Sequence, residues 1–332
     1  MKRTKAISGL LSLISLGMVS PAFAQDAVTV AYFQEWPMPF QYAKAKGLYE
    51  EKLGVPVNWV AFDSGTAMSA AMAAGDVQIA ISQGVPPFVV AVSAGQDLEV
   101  VDIAASYSDN DNCVVASRLE IDKDSAGELT GKRVALPVGT IAHYGFLQQM
   151  EHFGVDPASM TIVDMAPAEA AAAFGQGSID MACGWGGALD RMKAEGNVLL
   201  SGEEKEEAGI LAFDLTTTSA RFAAENPKLL ADFLAVTADA NAMWNAGDKR
   251  DEMLPVIAQD AGMDEASAAA VIDNFKFLSP EEQLSETWLG GRVASYFSGV
   301  AAMFHELGNL PSALPSYAEF IDTSALSDVS GR

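Results

Sequence analysis

Apolar and polar positions along this chain follow two periods that alternate. Short apolar runs at 28–33 (VTVAYF), 55–62 (VPVNWVAF) and 77–82 (VQIAIS) predict buried strands. Between them lie segments of helical composition: 41–54 (QYAKAKGLYEEKLG), with stops at Gly47 and Gly54, and 63–76 (DSGTAMSAAMAAGD), which opens on an Asp63–Ser64 cap and closes at Gly75. The order β-α-β-α-β favours a parallel, doubly wound sheet, because parallel neighbours are reached only through a crossover.

The pattern recurs in kind after a charged, loop-like stretch. Strands are predicted at 132–138 (KRVALPV), 160–165 (MTIVDM) and 178–185 (SIDMACGW), with helices at 139–154 and 166–177 between them. Two further runs, 112–118 (NCVVASR) and 210–219 (ILAFDLTTTS), fall where the chain would cross from the first unit to the second and back. From Ala220 onward the sequence is strongly helical, at 225–247, 253–263, 264–275 and 288–308. The expected architecture is two doubly wound α/β lobes joined by two crossing strands, with 25–111 plus 218–332 in lobe I and 112–217 in lobe II. Two crossings make a hinge, and a hinge makes a cleft.

The first residues carry an address. Lys2, Arg3 and Lys5 precede an uncharged, mostly apolar run from Ala6 to Ala22, and Ala22-Phe23-Ala24 supplies a cleavage site. This predicts a secretory signal at 1–24 and a mature chain in the periplasm. The run is short and holds Ser8, Ser12, Ser15 and Pro21, which argues against a membrane anchor. A net charge of −24 opposes binding to nucleic acid or to an anionic membrane, although such acidity also simply keeps a secreted protein soluble. Any anionic ligand would then need local hydrogen-bond donors. Cys113 and Cys183 are the only cysteines, and an even count in an oxidising compartment allows one disulfide. His143, His152 and His305 lie far apart without metal-ligand spacing, so neither a zinc site nor a cofactor is expected.

Catalytic signatures are missing from the sequence. It has no G-x-S-x-G elbow, H-E-x-x-H, Walker loop or helix-opening G-x-G-x-x-G, and CGWGG offers neither nucleophile nor nearby base. A binding protein is the better expectation. In open α/β sheets the carboxyl ends of strands and the following helix starts line the ligand crevice, and helix N–H groups there hold anions. Four turns present small or hydroxyl residues at such places: Asp63-Ser64-Gly65-Thr66, Ser82-Gln83-Gly84-Val85, Val138 to Tyr144 with Thr140 and His143, and Gly184-Trp185-Gly186-Gly187. Each has a bland alternative as a cap, a tight turn, a surface histidine or a core tyrosine; their concurrence is the argument.

These same stretches, FDSGTAMSAAMAAGDVQIAISQG at 62–84, residues 127–189 from GELTGKRVALPVG to CGWGGAL, and FLSPEEQ at 277–283, resemble the taurine-binding group of ABC-transporter periplasmic proteins. The general pattern is shared with relatives that bind nitrate, alkanesulfonates or thiamine precursors. The resemblance implies a periplasmic binding protein of type II-like fold, a monomer that closes on its ligand and delivers it to a membrane permease driven by a cytoplasmic ATPase. It implies cleft positions at Ser64, Gly65, Ser82, Gln83, Gly84, Val85, Thr140, His143, Tyr144, Trp185 and Asp214. Taurine carries a sulfonate and an ammonium, so it needs neutral donors at one end and a carboxylate or aromatic face at the other.

Asp214 stands alone in an apolar strand, which costs free energy unless a partner such as a ligand ammonium pairs it; a backbone-bonded hinge residue is the alternative. The first loop, QEWPMPFQ at 34–41, is more aromatic than in the better-known taurine binders. Glu35 is expected to hold the amine there. Trp36 is expected as a wall over the cation, worth about 0.5–2 kcal/mol, while Phe33 or Phe40 would pack the first helix. The resemblance further implies that the strands of Cys113 and Cys183 are neighbours and that a bridge staples the Trp185 loop, with two buried free thiols as the alternative. The ligand expected is taurine or a close aminosulfonate such as hypotaurine. The rivals are an alkanesulfonate or nitrate carrier and, in another class, a pyrimidine-precursor enzyme on the same scaffold.

Overall fold

The computed structural model describes residues 27–331 apart from residues 108, 209 and 211, so the expected signal segment 1–24 lies outside the described residues. The first stretch runs β1 (Val28–Phe33), α1 (Phe40–Ala45), α2 (Leu48–Leu53), β2 (Val57–Phe62), α3 (Gly65–Ala74), β3 (Ile79–Gly84), α4 (Val85–Ser93) and β4 (Glu99–Tyr107). The second runs β5 (Asp111–Ala116), β6 (Arg133–Leu136), α5 (Ile141–Phe153), β7 (Thr161–Asp164), α6 (Pro167–Gly175), β8 (Met181–Trp185), α7 (Gly186–Lys193), β9 (Gly196–Val198) and α8 (Gly202–Glu207). The chain then returns through β10 (Phe213–Thr218) to α9 (Ala220–Glu225), α10 (Pro227–Ala246), α11 (Arg250–Ala261) and α12 (Glu265–Ile272). It ends with β11 (Phe275–Lys276), α13 (Pro280–Gln283), α14 (Arg292–Glu306) and α15 (Ser324–Ser330).

Two sheets organise these elements, in the orders β11-β4-β10-β3-β1-β2 and β7-β6-β8-β5-β9. The expected α/β pattern is present, and two differences bear on where the site lies. First, α4 and β4 complete the first unit where the sequence pattern assigned nothing: Pro86 and Pro87 sit in the first turn of α4, where a missing N–H breaks no helical bond. Second, the sheets are mixed. Strands β1, β2 and β3 are parallel, as are β6, β7 and β8, but β10 is antiparallel to β3 and β4, and β5 is antiparallel to β8 and β9. The boundary expected after residue 217 falls inside β10, whose pairing is wholly within the first sheet.

That antiparallel insertion decides where the site lies. A crossing strand enters its sheet from the cleft side, so its first residues meet the carboxyl ends of its neighbours. Asp214 stands opposite Gly84 at the end of β3, and Asp111 stands opposite Trp185 at the end of β8. Four helices, α3, α4, α5 and α7, start from the strand ends at this same edge.

One core fills the unit built on the first sheet and two smaller ones flank the second sheet. The FLSPEEQ segment is structural. Ser279 and Glu282 form a capping box on α13, and Gln283 is buried, accepting from the Ile103 N–H and donating to Asp102. Among the described residues no helix is long and apolar enough to cross a membrane.

Candidate functional site

Where the two units meet there is a pocket of ≈ 290 Å³, counting the space at its opening to solvent. Its walls are aromatic: Phe33, Trp36, Tyr107 and Trp185. Trp36 meets Tyr107 edge to face at 5.2 Å, and Phe33 packs on Trp185 across the cleft at 5.8 Å. Two carboxylates, Asp111 and Asp214, line the same space.

Asp214 is the centre of a buried network. Ser82 Oγ donates to its Oδ2 at 2.6 Å, Tyr107 OH donates to its Oδ1 at 2.7 Å, and Trp36 Nε1 donates to Ser82 Oγ at 2.8 Å. Burial pushes the Asp214 carboxyl up to about 7, although Ser82, Tyr107 and Trp36 pull it down. Two of about four lone-pair positions are thereby used, which leaves the carboxylate able to accept from a ligand. Ser82 makes this geometry in the left-handed region, at φ 65, within an irregularity of the β3–β10 register. A non-glycine residue held there costs on the order of 1 kcal/mol, and the bulge aims the hydroxyl at Asp214.

At the other side the cavity touches Gly65, Gly84, Thr140 and Ile141, which are helix starts. With Trp185, the residue before α7, they bring four helix N-termini to one space. The first N–H groups of a helix lack acceptors within it, so this wall offers donors and positive potential. The α4 terminus contributes less, since Pro86 and Pro87 have no N–H. Gly65 is required sterically, because a Cβ there would lie 2.6 Å from Pro87 Cγ.

Six of the residues singled out from the sequence therefore line the cavity: Trp36, Gly65, Gly84, Thr140, Trp185 and Asp214. Others are placed elsewhere, for physical reasons. Ser64 Oγ caps α3 by accepting from the Ala67 N–H at 3.3 Å. Ser82 lies behind the cavity with its proton directed to Asp214. Gln83 is fully buried, bonded to Ser69 and Thr217, and Val85 is fully buried in the core. The Thr140 hydroxyl donates to the Pro137 carbonyl at 2.7 Å, so its contribution to an anion is its backbone. His143 accepts from the Gly139 N–H at Nδ1 and packs on Phe304; burial lowers it to about 4, which makes it neutral and no cation for an anionic ligand. Tyr144 packs on Tyr296 and Phe304, joining α5 to α14 across the cleft.

Glu35 is the clearest departure. It lies at the cleft mouth rather than in the cavity, 42% exposed at its side chain, and Oε2 accepts from Arg191 Nη1 at 3.3 Å on the opposite side. Its carbonyl oxygen would be 2.5 Å from a Cβ at Gly186, itself at φ 55. Gly186 is thus the seat on which the first loop rests. Gly186→Ala is expected to weaken the closed arrangement by roughly 1–3 kcal/mol. X-ray scattering would show a larger radius of gyration than the parent; an equal radius would refute this.

Ile141, inside the expected 138–144 turn, and Phe33, expected to pack the first helix, also line the cavity, while nothing in the sequence pattern singles out Pro87, Tyr107 or Asp111. Asp111 carried the same signal as Asp214, an acid in an apolar crossing strand, but stood at its first residue inside SDNDN, which reads as loop. Cys113 and Cys183 are bridged; they face each other in the β5–β8 register, two residues from the Asp111–Trp185 pair.

A two-unit α/β scaffold with an aromatic, charge-bearing pocket at the crossing strands defines a small-molecule binding protein of the hinged, two-lobed class. The chain belongs to the NMT1/THI5-like family, whose model matches residues 37–246. It is 29% identical over 306 residues to the taurine-binding periplasmic protein of Escherichia coli strain K12, covering 90% of this chain and 93% of that one. The alkanesulfonate-binding protein of Xanthomonas axonopodis pv. citri, solved bound to MOPS, superposes with a TM-score of 0.74 at 20% identity, over 90% of this chain and 99% of the other. The periplasmic aliphatic sulphonate-binding protein of Escherichia coli gives a TM-score of 0.70 at 21% identity, over 88% and 96%. These two likenesses establish the fold.

Proposed function

We propose that this protein is the periplasmic solute-binding component of an ABC importer and that it captures taurine or a close analogue, another aminosulfonate or the aminosulfinate hypotaurine. One observation carries the reading: buried carboxylates and helix N-termini line a single cavity walled by aromatics. That is the complement of a small zwitterion. The ammonium pairs with Asp214 and lies against the Trp36 face, and the sulfonate takes backbone N–H groups at the starts of α3, α5 and α7. The side-chain hydroxyls play little part, since Ser82 and Thr140 already direct their protons elsewhere.

Closure buries the ligand between the units, and the closed form is what the permease receives. The likeness to a taurine-binding relative supports this ligand over a plain alkanesulfonate, whose binding would leave Asp214 without a cationic partner. Titration calorimetry with taurine, ethanesulfonate and nitrate tests it. Taurine is expected to bind at least about tenfold more tightly than ethanesulfonate, equivalent to about 1.4 kcal/mol. Equal affinities would sink the reading.

A further inference from the structure

Asp111 has surroundings that the proposed role of Asp214 does not account for. It opens β5, the outbound crossing strand, as Asp214 lies near the start of β10, the return one. Asp111 is 4% exposed, lines the cavity, and its Oδ2 is buried without a hydrogen-bond partner. Both oxygens of Asp214, in contrast, accept from hydroxyls. Lys205 donates from Nζ to the backbone carbonyl of Asp111 at 2.5 Å, so its nearness fixes the strand's first peptide and moderates the local charge. A buried carboxylate oxygen with no donor is destabilising, and here it borders the space in which a ligand would sit.

We infer that Asp111 is a second carboxylate partner for the ligand's amine, so that a primary ammonium is held between the two crossing strands and sulfonates without N–H donors are rejected. This rests on the aminosulfonate reading above. A primary ammonium has three donors, enough to reach both acids and still face an aromatic wall. A trimethylated amine has none, and its methyl shell must also fit beside Trp36 and Tyr107. An amine-free sulfonate brings neither acid a cationic partner. Since each acid belongs to one of the strands that pass between the units, the ammonium ties those strands together. Recognition of the amine is thereby coupled to closure.

Calorimetric titration of the parent and Asp111→Asn with taurine, ethanesulfonate and N,N,N-trimethyltaurine tests the inference. The parent should prefer taurine to either analogue by at least about tenfold. In Asp111→Asn, taurine affinity should fall at least about tenfold while ethanesulfonate binds as well as before or better, so that the ratio collapses. A merely structural role would weaken both ligands together. If Asp111→Asn keeps the parental ratio while the parent prefers taurine, Asp111 has no part in amine recognition and the functional reading stands. A parent without that preference overturns the functional reading itself. Should Asp111→Asn bind neither ligand, Asp111→Glu, which restores the charge, must recover taurine selectivity; failure to do so also overturns the inference.

Discussion

In Asp214→Asn, taurine affinity is expected to fall by about two to three orders of magnitude, with ethanesulfonate affinity within about fivefold of the parent. The carboxylate is buried and already holds the hydroxyls of Ser82 and Tyr107, so the asparagine keeps its shape and much of its bonding. What it loses is the charge proposed to face the ammonium, and removing one partner of a buried ion pair costs about 2–5 kcal/mol. Proton titration makes the same charge visible without mutation. Asp214 is raised to about 7, above the value of about 3.9 in an unfolded chain. Its share of stability in the ligand-free protein is therefore complete below the unfolded value and is lost as pH rises through the folded one. Taurine needs the ionised form, so its affinity runs the other way and weakens as pH falls below about 7. Asp111, likewise raised by burial with Lys205 opposing and Asp214 adding, acts in the same sense; Tyr107 and Tyr296, the other titratable groups nearby, are held well above their usual value. Thermal melts should show the free protein more stable at about pH 5 than at about pH 8, and the taurine-induced shift larger at the higher value. Parallel trends would contradict the assignment.

The sequence disclosed the scaffold where local chemistry and tertiary position agree. Strand-then-cap segments such as VAF-DSG and the small-residue helix after them leave little choice, and α3, α5, α6, α10 and α14 lie within the expected segments. The proline pair in VPPFVVAVS concealed α4, because a proline breaks a helix or begins one according to a register that only the preceding strand end fixes. Antiparallel insertion of β5 and β10 was equally hidden, since pairing partners distant in sequence leave no local trace. That topology is what brings Asp111 and Tyr107 to the cavity. It also explains why Asp214 lines the cavity and Glu35 does not. Asp214 is an acid where only burial is available, whereas Glu35 adjoins the buried Trp36 in sequence but turns outward at φ 55 to meet Arg191. His143 and Tyr144 lie in the first turn of α5 at the cleft side, yet their side chains pack the joint with α14 instead of lining the cavity.

Removal of the Cys113–Cys183 bridge should be the most damaging change outside the cavity. The bridge closes a segment of sequence separation 70, and chain-entropy arguments give about 4 kcal/mol for a loop of that length. Melting of Cys113→Ala/Cys183→Ala, or of the reduced parent, should therefore come lower by on the order of 10 °C. A functional loss should accompany it. The bridged pair faces itself in the β5–β8 register, and two residues along the same register stand Asp111 and Trp185, an acid and an aromatic wall of the cavity. Both cysteines are buried in the core beneath α5, the helix whose start contributes Thr140 and Ile141. Loosening this pairing thus relaxes the acid, the wall and one cavity-lining helix start together, so taurine affinity should fall even where the variant is still folded. A double variant that melts lower but binds taurine as the parent does would confine the bridge to stability; one unchanged in both would show that backbone pairing alone holds Asp111 in place.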